Sequence, residues 1–196
     1  MNKINTRTYH HGDLRAAMVR AGREILETED RQALTLRACA RRAGVSHAAP
    51  QYHFANVSKL LGEIAATGFV DFVAALDAAA DEFSDPSARL VAMGLRYFQF
   101  SREHPALYKV MVAGSEPSDT PESLRAARHV AWNQLFDAVQ KVKSGQNVET
   151  GAMLVWSLVH GFSMLAGSLA MPPIRDWERD LRPMLEVAVA GLANLR

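Results

Sequence analysis

The chain has a single cysteine, Cys39, among 196 residues. That excludes an internal disulfide framework and fits a reducing, cytoplasmic setting. Cys39 falls on the inward side of a periodic run, so it reads as a small buried hydrophobe rather than a redox sensor. Also missing are an HExxH pair, a Gly-rich phosphate loop, a nucleophile–base pair and clustered carboxylates. An enzyme is therefore the weakest functional class, and no catalytic residue is assigned. No cofactor motif is present. His10 and His11 have only Asp13 nearby as a third ligand, so they read as helix-start packing and no metal site is expected. No apolar run reaches the roughly 18 uncharged residues of a membrane helix. The longest candidate, 152–172, contains His160 and several Ser and Gly, and reads as a buried bundle helix. The first residues are polar and lack a secretory apolar region. Strand-like alternation is scarce, and Gly and Pro fall mainly between periodic runs. The expectation is an all-α chain.

What is present is concentrated in residues 34–61, LTLRACARRAGVSHAAPQYHFANVSKLL. Thr35 is an N-cap for a helix carrying Leu36, Cys39 and Ala40 on one face. Gly44 stands where that helix must stop in a left-handed residue. Val45 can plug between helices. Ser46 caps a second short helix, about 47–54. Cap, helix, Gly turn, cap and helix make a helix-turn-helix pattern. Ala48 and Ala49 allow close approach to a DNA groove. Gln51 can pair with an adenine edge, whereas Tyr52, His47, His53 and Ser46 suit phosphates. A helical hairpin buried in some core has the same local pattern, so charge is needed to choose. Residues 1–60 hold ten Lys and Arg against five Asp and Glu, a balance of +5, while 61–196 hold twelve against sixteen, or −4. A basic end fits phosphate neutralisation.

TYHHGDLRAAMVRAG, LTLRACARRAGVSHAAPQYHF and LLGEIAATGF together resemble the N-terminal domain of the TetR (tetracycline-repressor) family of transcription regulators, over roughly residues 8–69. The resemblance implies a three-helix DNA-binding domain at 1–56 and a six-helix effector-binding and dimerisation domain at 57–196. It puts His47, Ala48, Ala49, Gln51, Tyr52 and His53 on the DNA face. Thr35, Arg37, Ser46 and Lys59 complete the expected DNA-binding set. Val57 stands where relatives usually carry a phosphate-contacting Lys. Pro50-Gln51-Tyr52-His53-Phe54 replaces their Pro-Tyr-Arg-His-Phe. A changed operator sequence is one expected result.

Further helices are expected at about 57–83, 87–103, 106–112, 121–143, 148–170 and 176–195, divided by Pro- and Gly-containing breaks. Trp156, His160 and Gly161 resemble the WHG subgroup of the same family. Four residues apart, Trp156 and His160 share a helix face. Two readings stay open for them: a hydrogen-bonded core histidine, or the polar anchor of an effector pocket with Tyr97, Phe98, Tyr108, Met111, Trp132 and Phe136. The last two helices, about 148–195, are expected to form a homodimer interface, with Met164, Leu165, Leu169, Leu185, Val189 and Leu192 supplying area. The functional expectation is a repressor, released from a palindromic double-stranded operator by a small apolar or amphipathic effector. An effector-independent architectural DNA-binding protein is the alternative.

Overall fold

A computed structural model of the chain describes residues 11–29, 31–45, 53–113, 120–143, 145–166 and 176–195. Among them are eight α-helices and no strand. In chain order these are α1 (His11–Thr28), α2 (Leu36–Arg42), α3 (Val57–Ala80), α4 (Pro86–Glu103), α5 (Pro105–Val112), α6 (Glu122–Val142), α7 (Val148–Ala166) and α8 (Trp177–Gly191). A 3-10 turn, Leu192–Asn194, follows α8.

Side-chain caps set the starts. Thr35 Oγ1 accepts from the Ala38 N–H at 3.0 Å, Asn56 Oδ1 from Lys59 at 2.8 Å and Asp85 Oδ2 from Ala88 at 2.8 Å. Each satisfies one of the free N–H groups that open a helix. Pro86 and Pro105 occupy the first positions of α4 and α5, where a missing N–H costs nothing. The end of α2 is equally specified. The Val45 N–H donates to Ala40 O at 3.0 Å and the Gly44 N–H to Arg41 O at 3.2 Å, with Gly44 at φ +67°. This is the left-handed stop that the sequence pattern predicts.

Several bounds differ from expectation. α3 stops at Ala80, with Asp81 as its cap, rather than running to 83. Pro86 then begins α4 directly. α8 ends at Gly191 and tightens into the 3-10 turn.

The amphipathic stripe of α1, Leu14, Met18, Ala21, Ile25 and Leu26, is buried. It packs on α2 and on the first half of α3. At Gly22 the approach is close: a Cβ there would lie 2.6 Å from Ile64 Cδ1 and 3.5 Å from Cys39 Sγ. Arg15–Glu63 and Arg23–Asp71 ion pairs flank this joint. Along α3 the next contact is with α5, where a Cβ at Gly68 would meet Met111 Sδ at 2.7 Å. α4, α6, α7 and α8 complete the bundle, and a single apolar core continues from Met18 to Leu192. α7 has the length and apolarity to cross a membrane. It behaves as a bundle helix, burying Ala152, Val155 and Val159 against its neighbours.

Candidate functional site: an aromatic cavity and a basic reading head

A cavity of about 600 Å³ lies inside the bundle, walled by α3 to α7. Four helices each contribute one face at helical spacing. α3 gives Phe69, Phe72 and Leu76; α4 gives Leu90, Met93, Gly94 and Tyr97; α6 gives Arg128, Ala131, Trp132 and Leu135; α7 gives Val155, Trp156, Val159 and His160. α5 adds Tyr108, Met111 and Val112. The size suits a drug-sized molecule, and an apolar wall with few polar groups is what such sites have.

The polar groups converge. Tyr97 Oη lies 2.8 Å from His160 Nδ1, Tyr108 Oη 3.0 Å from the same nitrogen, and the two hydroxyls are 3.1 Å apart. Two hydroxyls, each with a proton to donate, converge on Nδ1, so we assign Nδ1 as the acceptor and the ring proton to Nε2. Among the described residues the hydrogen bonds of His160 run through Nδ1, and the residue lines the cavity. Burial pushes the Tyr97 hydroxyl far above its usual range, with Tyr108 adding to the rise. Burial raises Tyr108 too, and lowers His160. All three groups are thus held neutral. Trp156 stacks obliquely near His160, ring centroids 5.8 Å apart, and meets Trp132 edge-on at 6.2 Å. Phe72 meets Tyr97 edge-on at 5.1 Å. The one charged wall residue, Arg128, donates from Nη2 to Met111 O and Ala113 O, each at 3.2 Å, at the open end of α5.

At the other end of α3, Arg37 projects from α2 into solvent, and Thr35 is exposed with its hydroxyl oxygen committed to the cap. Arg42 pairs with Glu29 and so ties α2 to the end of α1. Phe54 is buried beneath the Arg15 guanidinium, 5.7 Å from ring centroid to Cζ. Cys39 is buried beside Gly22 of α1, and burial pushes its thiol up to about 11.

A sequence model of the tetracyclin repressor-like C-terminal domain matches residues 90–192, more than half of the chain. The chain belongs to the TetR family. No curated protein matches the sequence of this TetR-family member. A solved structure of a protein with unknown function from Rhodococcus sp. RHA1 is 28% identical, with a TM-score of 0.71, covering 96% of this chain and 97% of that one. A TetR-family regulatory protein from Rhodococcus RHA1 is 18% identical, with a TM-score of 0.65 and coverage of 91% and 96%. PfmR, a TetR-family transcriptional regulator from Thermus thermophilus, is 17% identical, with a TM-score of 0.59 and coverage of 90% and 97%. The last two share the fold. Membership makes this TetR-family chain a DNA-binding transcriptional regulator and not an enzyme.

Of the sequence-predicted pocket residues, Tyr97, Tyr108, Met111, Trp132, Trp156 and His160 line the cavity. Phe98 and Phe136 do not. One residue beyond Tyr97 is a rotation of about 100° on a helix, and Phe98 packs instead on Phe162 and Trp177, at 5.2 and 4.8 Å. Phe136 lies one turn past Trp132 and packs into the core. Sequence reasoning missed Phe69, Phe72, Leu90, Met93 and Arg128. The i, i+3, i+4, i+7 continuation from Tyr97 back to Leu90 was the signal that finds the α4 wall. The same spacing runs from Leu135 and Trp132 back to Arg128, but a charged residue on a polar helix reads as solvent-facing.

Of the expected DNA-binding set, Thr35, Arg37, His53 and Lys59 fall within the described residues. Ser46, His47, Ala48, Ala49, Gln51 and Tyr52 lie outside them. On the last two helices Met164 and Leu165 are exposed, joined by Met153, Leu154, Trp156, Met184 and Val187. Leu185, Val189 and Leu192 correct the expectation, because they are buried within the subunit. Leu185 presses on the bare backbone of Gly94, where a Cβ would come within 2.7 Å of its methyls. Leu169 lies outside the described residues. Gly161 has open space where its Cβ would be.

Proposed function

We propose that this TetR-family chain is a ligand-responsive repressor, released from its operator when a small apolar or amphipathic effector fills the aromatic cavity. The observation that carries the reading is the path of α3. Its Ile64 packs under the reading head at Gly22 and Cys39, and its Phe69, Phe72 and Leu76 wall the cavity. From Ile64 to Phe72 is about 12 Å of one continuous helix. An occupant that shifts the cavity end re-aims the head, provided it binds the two arrangements with different affinity. α5 supports the same route, since Met111 touches the cavity on one side and Gly68 on the other.

In this reading residues 1–56 form the DNA-reading unit and 57–196 the effector and dimer unit. DNA contact falls to the 47–53 helix (His47, Ala48, Ala49, Gln51, Tyr52 and His53), with Thr35, Arg37, Ser46 and Lys59 beside it. Two copies join through α7 and α8, whose exposed Met153, Leu154, Met164, Leu165, Met184 and Val187 supply apolar area that water disfavours. A dimer sets two reading helices about one DNA turn apart and so reads a palindrome. Action on chromosomal DNA sets the protein in the cytoplasm. The cavity itself counts against an effector-independent architectural role.

The test is operator selection from a random DNA pool, followed by fluorescence anisotropy on the selected duplex. A palindrome, binding that weakens steeply with salt, and loss of binding when 47–53 is replaced are expected. Salt-insensitive binding, or an affinity unmoved by every cavity ligand, sinks the repressor reading.

A further inference from the structure

The polar inventory of the cavity is short and one-sided. Among the described residues no Asp, Glu, Lys, Ser, Thr, Asn or Gln lines it. A cationic occupant would meet no counter-charge, and would meet the guanidinium of Arg128. A carboxylate placed away from Arg128, whose Nη2 donates to Met111 O and Ala113 O, would meet no other cation on the wall, and burying it there unpaired is costly. What the wall offers a ligand is hydrogen-bond donation. His160 is turned so that Nδ1 faces both tyrosine hydroxyls, which leaves Nε2–H for a ligand. The two tyrosine oxygens are occupied with each other and with that ring. Around this donor stand flat faces: Phe72, Trp132 and Trp156.

We propose that the effector is an uncharged aromatic molecule bearing a carbonyl-type acceptor, of the aromatic ketone, quinone or flavone kind, with its oxygen on His160 Nε2–H and its rings against the Trp132–Trp156 wall. This rests on the cavity being the effector site and narrows what enters it. A volume of about 600 Å³ holds two to four fused or linked rings. His160 is then the specificity-determining residue. Tyr97 and Tyr108 are positioning residues that fix its tautomer. Loss of such a bond leaves a desolvated donor unpaired, which disfavours hydrocarbons that fit equally well.

The experiment uses the full chain carrying Trp177→Phe. Trp177 lines a different hollow, so the remaining fluorescence comes from Trp132 and Trp156. Four probes of similar shape are titrated: fluorenone, fluorene, fluorenone carboxylate and aminoacridinium. Fluorenone is expected to quench, with the carboxylate and the cation at least about tenfold weaker. His160→Phe should weaken fluorenone about tenfold and leave fluorene unchanged, and His160→Gln, which keeps an N–H donor, should recover part of the loss. Tighter or equal binding of aminoacridinium or the carboxylate, no binding of fluorenone, or equal losses for fluorenone and fluorene in His160→Phe overturns the assignment. Operator anisotropy is read in the same titrations. A cation that binds and releases DNA overturns the ligand class and leaves the repressor reading standing. Fluorenone that binds through His160 without releasing DNA supports the binding assignment and overturns its effector role.

Discussion

α4 is the shared wall of two hollows of similar size and opposite character. On one side Leu90, Met93, Gly94 and Tyr97 face the aromatic cavity of about 600 Å³. On the other, Val91, Ala92, Leu95 and Gln99 face a groove of about 510 Å³ against α8. Apart from Arg128, the cavity gathers Tyr97, Tyr108 and His160 into one bonded cluster. The groove strews Glu82, Arg96, Glu178, Arg182 and Glu186 along a rim open to water. Several of these pair among themselves or nearby, as Arg182 does with Glu178 at 2.6 Å. Volume alone therefore does not make a site. A cavity that holds neutral, desolvated donors in fixed geometry selects a ligand, whereas a hydrated charged groove offers a ligand nothing that water does not.

Substitutions can break that contrast, beginning with the largest effect. Ala131→Trp fills the cavity and should lower fluorenone affinity by about a hundredfold, roughly 3 kcal/mol, while Ala92→Trp in the groove leaves the titration unchanged. Phe72→Ala removes a buried ring that meets Phe69, Tyr97 and Phe100 edge-on. Urea unfolding should report a loss of about 3–5 kcal/mol. Phe83→Ala on the groove rim, where the ring is 41% exposed, should cost less than about 1 kcal/mol. Tyr97→Phe deletes one hydroxyl of the cluster and should cost about 1 kcal/mol, detectable as a shifted urea midpoint with unchanged slope.

The pH response sharpens the comparison further. Burial lowers His160 from its ordinary value of 6.5. As pH falls through 6.5 the unfolded chain takes up this proton before the folded one does. Stability is therefore full above that value and declines below it. Urea midpoints compared between about pH 7.5 and about pH 5.5 should show the decline, and His160→Phe should flatten the part due to this ring. Arg182→Ala on the groove should move the midpoint by no more than about 0.5 kcal/mol, because the pair it breaks is exposed.

Much of this architecture was legible in the sequence because it is local. Thr35, Gly44, Asp85-Pro86 and His104-Pro105 are caps and stops whose chemistry acts within a few residues, and the helices begin and end there to within a residue or two. Ala80 is the exception. Apolar periodicity runs on to Phe83, whereas the helix stops at Ala80 with Asp81 as its cap. The inward face of α7 was legible as a Trp–His pair, but its tyrosine partners lie 63 and 52 residues away, and no spacing rule reaches that far. Arg128 was invisible for another reason. Its guanidinium meets backbone carbonyls at the end of α5, and a sequence shows only a charge on a polar helix. Leu185, Val189 and Leu192 looked like interface area because apolar residues at helical spacing suit either side of a subunit.

The close packing at Gly22 and Gly68 also bears on how such a protein can be recombined. A chimera cut before α3 would pair one protein's α1 with another's Ile64, and a Cβ-sized mismatch there would have to displace the Ile64 side chain. The interchangeable cassette is accordingly longer than the DNA-reading helices. It ends beyond Gly68, at the first cavity-facing ring, Phe69, so that a transplanted head carries its own hinge and borrows only the chemistry of the host's pocket.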